Sequence, residues 1–192
     1  MCLFRTSVVI AVFAATSSAT FAHESGDEGR HESVPKLYDA HGRLVGVVVD
    51  APMGNVSDGG VIMNIKGAPV FVGFARIKTP DESQSACDLK WSGVTPSYSG
   101  RGCTGTPYIP YALGPLRPAV IERKGAKAVL RVAKDEPSQS ISVGSRDYSG
   151  DCGDFVSGVT EVEWLIGESL DLTDAYPEPL HIGHSESLGG NR

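Results

Sequence analysis

The sequence predicts an all-β chain: a single-domain antiparallel β-sandwich or partly closed β-barrel with short hairpins and long loops. Three observations lead there. Glycine (23) and proline (12) punctuate the 192 residues densely, which suits many turns and few long helices. Runs rich in β-branched residues recur at spacings of roughly 8 to 12 residues, the rhythm of a sandwich or small barrel. No window of about 12 residues carries an apolar stripe at helical spacing with caps at both ends.

The elements follow in chain order. Residues 1–22 read as a secretory signal peptide: Arg5 supplies the positive start, residues 8–15 the apolar stretch, and Thr20-Phe21-Ala22 a small-residue cleavage site. The stretch is too short to span a bilayer, which takes about 20 residues, and no later segment is long and apolar enough to do so. Residues 23–34 are acidic and nearly devoid of apolar side chains. They cannot offset the entropy of ordering and read as a flexible leader. The β domain is placed at 35–182, with a flexible tail at 183–192.

Within the domain, residues 36–39 and 43–50 make a first hairpin around Ala40-His41-Gly42, where Gly42 accepts a positive φ. Residues 51–60 hold Pro52, Gly54, Asn55, Asp58, Gly59 and Gly60, a long turn-prone loop. A second hairpin joins 61–65 to 70–77 across Lys66-Gly67-Ala68-Pro69, and a third joins 119–123 to 126–133 across Lys124-Gly125. Residues 79–105 are the least regular stretch, with Leu89, Trp91 and Tyr98 as scattered anchors. Pro107 and Pro110 make 106–112 extended and bar it from a helix or a central strand. Residues 140–145 form a short strand. Alternation over 161–166 puts Val162, Trp164 and Ile166 on one face and leaves Glu161 and Glu163 on a solvated one. From Tyr176 the chain turns Pro-, His- and Gly-rich and is expected to fray.

Seventeen Lys and Arg against 23 Asp and Glu give a formal charge of −6. That balance excludes non-specific nucleic-acid binding, which needs a basic footprint. Removing the signal takes away Arg5 and no acid, so the mature chain is one unit more negative. Export places it in a secreted or periplasmic compartment that permits disulfides. Cys2 leaves with the signal, and Cys87, Cys103 and Cys152 remain, an odd set with three possible single pairings. A 103–152 bridge closes about 50 residues, worth roughly 4 kcal/mol of loop entropy, and an 87–103 bridge about 17, worth roughly 3 kcal/mol. The energies do not choose between them.

Two short motifs carry a resemblance. Leu37-Tyr38-Asp39-Ala40-His41-Gly42-Arg43-Leu44-Val45-Gly46 is similar to the YDANGKLVG opening of a group of uncharacterised exported bacterial β proteins. Cys103-Thr104-Gly105-Thr106-Pro107-Tyr108-Ile109 is similar to their DCTGTPYI-like cysteine segment. Cys152 and the ending from Asp171-Leu172 to Tyr176-Pro177-Glu178-Pro179-Leu180 extend the likeness over about residues 36–182. The resemblance implies an all-β fold, a bacterial source and a Cys103–Cys152 disulfide with Cys87 unpaired. It brings no agreed activity.

Chemical templates mostly fail. Gly100-Arg101-Gly102-Cys103-Thr104-Gly105 fits G-x-G-x-x-G, but Pro107 and Pro110 preclude the helix a dinucleotide site needs. Asp147, Ser149, Asp151 and Asp154, with Gly150 and Gly153 between them, are candidate Ca²⁺ ligands. Cys152 and Gly158 stand where an EF-hand needs Gly and Glu, and a solvated acidic turn beside a disulfide accounts for the cluster better. Cleavage after Ala22 would expose His23, whose amine and imidazole could chelate copper with His31, His41, His181 or His184. A mobile leader is a poor platform for that. His181 and His184, near Glu178 and Glu186, lie at a spacing that sends strand side chains to opposite faces, against a zinc site. G-x-S-x-G, H-E-x-x-H and P-loop patterns are absent. Glu161 and Glu163 are the candidate glycosidase pair, and Cys87 would need a nearby His to act as a nucleophile. Trp91, Tyr98, Tyr108, Tyr111 and Trp164 could form an aromatic strip for sugar or peptide, or could be core. Asn55-Val56-Ser57 is a glycosylation sequon only in a eukaryotic setting.

These features describe an exported, soluble, non-catalytic β domain for recognition or envelope-associated structure. Its expected partner is a protein or glycan, with no cofactor. The alternatives are a hydrolase whose site is assembled from separate strands and a copper- or calcium-binding module.

Overall fold

The computed structural model describes residues 34–50, 57–112, 114–148 and 150–184, and the signal-peptide and leader readings lie outside them. The chain is all-β. Twelve strands run β1 (Pro35–Tyr38), β2 (Leu44–Val49), β3 (Gly59–Ile65), β4 (Ala68–Lys78), β5 (Gln84–Trp91), β6 (Ser97–Tyr98), β7 (Pro107–Ile109), β8 (Ala119–Lys124), β9 (Lys127–Ala133), β10 (Gln139–Tyr148), β11 (Asp151–Asp171) and β12 (His181–His184). The helix α1 (Leu172–Ala175) is a single turn, capped by the Asp171 side chain accepting from the Asp174 amide at 3.1 Å.

The strands form two antiparallel six-stranded sheets. In the first, the order β12-β1-β2-β3-β4-β5 almost closes on itself. Leu180, just ahead of β12, exchanges two backbone hydrogen bonds with Leu89 of β5, at 2.8 and 2.9 Å. The result is a small barrel. Its three hairpin turns are local: Gly42, for example, takes a φ of +74° in the β1–β2 turn, where a β-carbon would be strained. Asp39 braces that turn, its Oδ1 accepting from the amides of His41 and Arg43 at 3.0 and 2.9 Å.

Alternation along the barrel strands sends Leu37, Val61, Met63, Val70, Val72, Phe74, Leu89 and Trp91 inward. Ile121, Ala128, Leu130 and Val132 of the β8–β9 hairpin, together with Leu172 and Leu180, complete the same core. Burying each large apolar side chain contributes about 1.5–3 kcal/mol.

The second sheet, ordered β10-β6-β7-β11-β9-β8, contains a tighter ring, because β10 also pairs directly with β11. β11 is long and serves three partners in turn. It pairs with β10 up to Glu163, with β7 at Trp164 and Leu165, and with β9 from Ile166 to Asp171. The disulfide joins Cys103 to Cys152. Cys87 takes no part in it and lies exposed on β5.

Five local expectations are corrected. Residues 79–105 are irregular only in part: β5 runs through 84–91 and closes one side of the barrel, with turns and bends on either side. Its first five residues are polar or small and mostly exposed, so the segment has the composition of a loop. Pro107 does not bar a central strand, because β7 is only three residues long, opens on Pro107 and lies between β6 and β11. The segment from Tyr176 does not fray. Leu180 is fully buried, Trp91 Nε1 donates to the Tyr176 carbonyl at 3.1 Å, and β12 pairs with β1 through His184, inside the segment assigned to a tail. Val162 is exposed, although it alternates with Trp164 and Ile166. Glu163, expected on a solvated face, is fully buried.

Candidate functional site

The segment Ser92–Thr95 crosses from the barrel to the second sheet between β5 and β6. Its backbone is held on three sides. The Ser92 amide donates to the Gly73 carbonyl at 3.0 Å, Val94 accepts from the Ile121 amide at 2.8 Å, and the next residue, Pro96, accepts from the Asp147 amide at 3.1 Å. Gly73 makes the crossing possible: a β-carbon there would lie 2.4 Å from the Ser92 carbonyl oxygen and 2.9 Å from Cβ of Ser57.

Two recesses of about 260 and 550 Å³ flank this segment and share Lys90, Ser92, Gly93 and Thr95. The smaller is completed by Trp91, Ile121, Arg123 and Asp147. The larger reaches Ser57, Asp58, Arg76, Lys78, Tyr111 and Tyr148. Their walls carry four cations against two carboxylates, a local reversal in a chain of net charge −6.

The cations are not equally committed. Arg123 binds Glu178 in an ion pair and donates to the Trp91 carbonyl at 3.1 Å. Glu178 also accepts from the Trp91 amide at 2.7 Å. Arg76 Nη1 donates to the carbonyls of Ser85 and Ala86 at 3.1 and 2.7 Å. Lys78 approaches Glu82 at 3.5 Å with both side chains largely exposed, a pair of little strength. Lys90 has no ion-pair partner among the described residues. Ser57 is 3% exposed, and its hydroxyl has no hydrogen-bond partner among the described residues. A buried hydroxyl left in that state is costly. Tyr111 and Tyr148 stand exposed on the rim.

A second cluster involves the candidate carboxylate pair. Ser97 Oγ donates to Glu163, and Arg146 bridges Glu161 and Glu163 while lying 5.9 Å over the Phe155 ring. Burial pushes the Glu163 carboxyl above its usual range. The Ser97 hydroxyl and the Arg146 charge pull it back only in part, and neighbouring Glu161 pushes it further up. Glu163 is fully buried and neither carboxylate lines the recesses. Glu163 is thus part of the interior, while Glu161 beside it is partly exposed.

The other sequence candidates scatter. Asp147 lines the smaller recess, its Oδ1 accepting from the Gly150 amide at 2.7 Å. Asp154 accepts from the Gly102 amide at 2.6 Å and from Arg101 Nε at 3.2 Å, tying down the loop that carries Cys103. Asp151 is exposed opposite Tyr148. No group of three His, Cys, Asp or Glu side chains that could hold a metal occurs among the described residues. His181 and His184 stand opposite Tyr38 and Pro35 at the two ends of β12. His23, His31, Ser149, Asn55 and Glu186 lie outside the described residues.

The aromatic strip divides: Trp91 and Tyr98 are buried, and Tyr111 faces the larger recess. Tyr98 lies in a different network, where its hydroxyl reaches Glu122 at 3.3 Å and burial holds its pKa well above the usual phenol. Burial also raises Glu122, but hydrogen bonds from Lys124 and Arg131 more than offset that and hold its carboxyl below its usual range.

Sequence reasoning missed Ser57, Lys90, Arg123 and Tyr148. Each comes from a different strand or loop, and no local spacing connects them. The one available signal was Lys90 beside Trp91 in an otherwise apolar pair of anchors. Among the described residues, no helix is long and apolar enough to cross a membrane. The chain matches no protein-family model, no curated protein and no solved structure.

Proposed function

We propose that this protein is an exported recognition domain that binds a ligand in the paired recesses without turning it over. One observation carries the reading. Lys90, with no ion-pair partner among the described residues, lines the larger recess, on whose rim Tyr111 and Tyr148 are exposed. A charged group without an ion-pair partner in a concavity suits a ligand that supplies one. The Cys103–Cys152 disulfide is compatible with an oxidising, extracytosolic compartment. The signal-like residues 1–22 support export, and the motif resemblance favours a bacterial envelope or secreted setting.

A test pairs two screens on the purified protein: turnover of ester, glycoside and peptide substrates, and binding to an array of glycans and peptides. We expect no turnover, and at least one array ligand whose binding weakens in Tyr148→Ala. Turnover that disappears in Glu163→Gln would place catalysis at the carboxylate pair and overturn the reading.

A further inference from the structure

We infer that the ligand of the paired recesses is an acidic saccharide, a short run of sugar rings bearing carboxylates. The inference rests on the recognition reading above and names its ligand class.

Main-chain chemistry argues against an extended peptide. Strand addition needs free backbone donors and acceptors along an edge. Here part of the main chain that bounds the recesses is already used: the Ser92 amide by Gly73, the Val94 carbonyl by Ile121, and the Asp147 amide by Pro96. The recesses also present side chains, an ammonium group and two phenols among them. Hydroxyls and aromatic faces are what a sugar ring engages, through its own hydroxyls and its apolar C–H face.

Charge then selects among sugars. Lys90 sits where the two recesses meet, so a ligand lying across the Ser92–Thr95 segment passes it. Its ammonium pairs with no carboxylate among the described residues, and a carboxylate on the ligand would form a charge-assisted hydrogen bond there. Lys78, only weakly held by Glu82, extends the positive wall. Asp58 offsets only part of it, because the larger recess sets Arg76, Lys78 and Lys90 against this one carboxylate. Tyr111 and Tyr148 offer exposed rings on the rim.

The test is titration calorimetry of the purified protein against trimers of galacturonate, mannuronate and guluronate. Two controls separate charge from rings: the methyl esters of the same trimers, and inorganic triphosphate. We expect at least one uronate trimer to bind, its ester to bind about tenfold more weakly, and triphosphate not to bind. Lys90→Gln should cost the acid about tenfold and leave the ester unchanged, in line with loss of one charged hydrogen bond. Tyr148→Ala should weaken acid and ester alike, by roughly fivefold to tenfold. Both positions are at least partly exposed, and unchanged melting of each variant establishes that it folds.

Three outcomes overturn the inference: triphosphate binding as tightly as the trimers, ester and acid binding equally, or no uronate binding at all. If uronates fail while an array ligand of another class is lost in Tyr148→Ala, the recognition reading survives and only the ligand class falls.

Discussion

The two sheets are built from similar β-rich strands yet fill their interiors differently. In the barrel, the buried residues of the six strands are apolar or glycine, from Leu37 through Phe74 to Trp91. In the ring of β6, β7, β10 and β11, Tyr98, Ile109 and Val143 share the interior with Ser97, Ser145, Asp147 and Glu163. Apolar burial is non-directional and tolerates small shifts. A buried hydrogen-bonded cluster depends on every partner, since each one lost leaves another group desolvated and unpaired. The barrel is thus expected to carry stability, while the ring sets a particular geometry and responds to pH. The recesses open along the segment that joins the two, where one wall is held by packing and the other by polar contacts.

The largest expected effect lies in the barrel. Phe74→Ala removes a ring that is 2% exposed and should destabilise by about 3–5 kcal/mol, measured by urea unfolding. A loss under about 1 kcal/mol would mean the barrel is not the main apolar core.

Next comes the covalent tie of the ring. Replacing Cys103 and Cys152 together by Ser releases a bridge of sequence separation 49 and should cost about 3–4 kcal/mol. Because the bridge ties the ring and not the barrel, hydrogen exchange should quicken first at β10 and the start of β11. Uniform quickening across both sheets would dissolve the contrast between them.

The smallest and most discriminating effect is the pH dependence of Glu163→Gln. The carboxyl of Glu163 is held above its unfolded value of 4.5, first by burial. A raised carboxyl favours the protonated form in the folded state. Its cost is therefore absent below about pH 4.5 and grows as pH rises through the folded value. The variant should gain stability relative to the parent across that rise. The background runs the other way, because Glu122 is held low by Lys124 and Arg131 against its burial, and Asp171 at about 2 by Lys127 and Thr173. Those carboxylates lose their contribution as pH falls, in parent and variant alike. Thermal midpoints from pH 4 to 8 check this, and a parent-minus-variant difference flat in pH would show that Glu163 is not a strained acid.

The hairpins around Gly42, Lys66-Gly67 and Lys124-Gly125 were legible because each is decided within a few residues, by a turn that needs positive φ between alternating runs. Which face of a strand turns inward was not legible for β11. A period of two groups Val162 with Trp164 and Ile166; the latter two do pack against Val94, Ile109, Val120 and Ala133, but Val162 is exposed and Glu163 is buried. Hydropathy favours the valine. The buried choice is instead made by Ser97 and Arg146, which come from β6 and β10 and supply the partners Glu163 needs. The candidate site was hidden for the same reason: Ser57, Lys90 and Tyr148 lie on separate segments that only the crossing at Ser92–Thr95 brings together.

The sequence by itself determined the all-β class, the three tight hairpins, the acidic charge and the failure of familiar catalytic motifs. All of these follow from local turn chemistry, side-chain period and composition. Tertiary structure decided the rest: closure of the barrel by Leu89 and Leu180, the polar interior of the ring, and the recesses beside Lys90. Each is a pairing between residues far apart in the chain, made when partners meet in space and unmarked by any spacing along it.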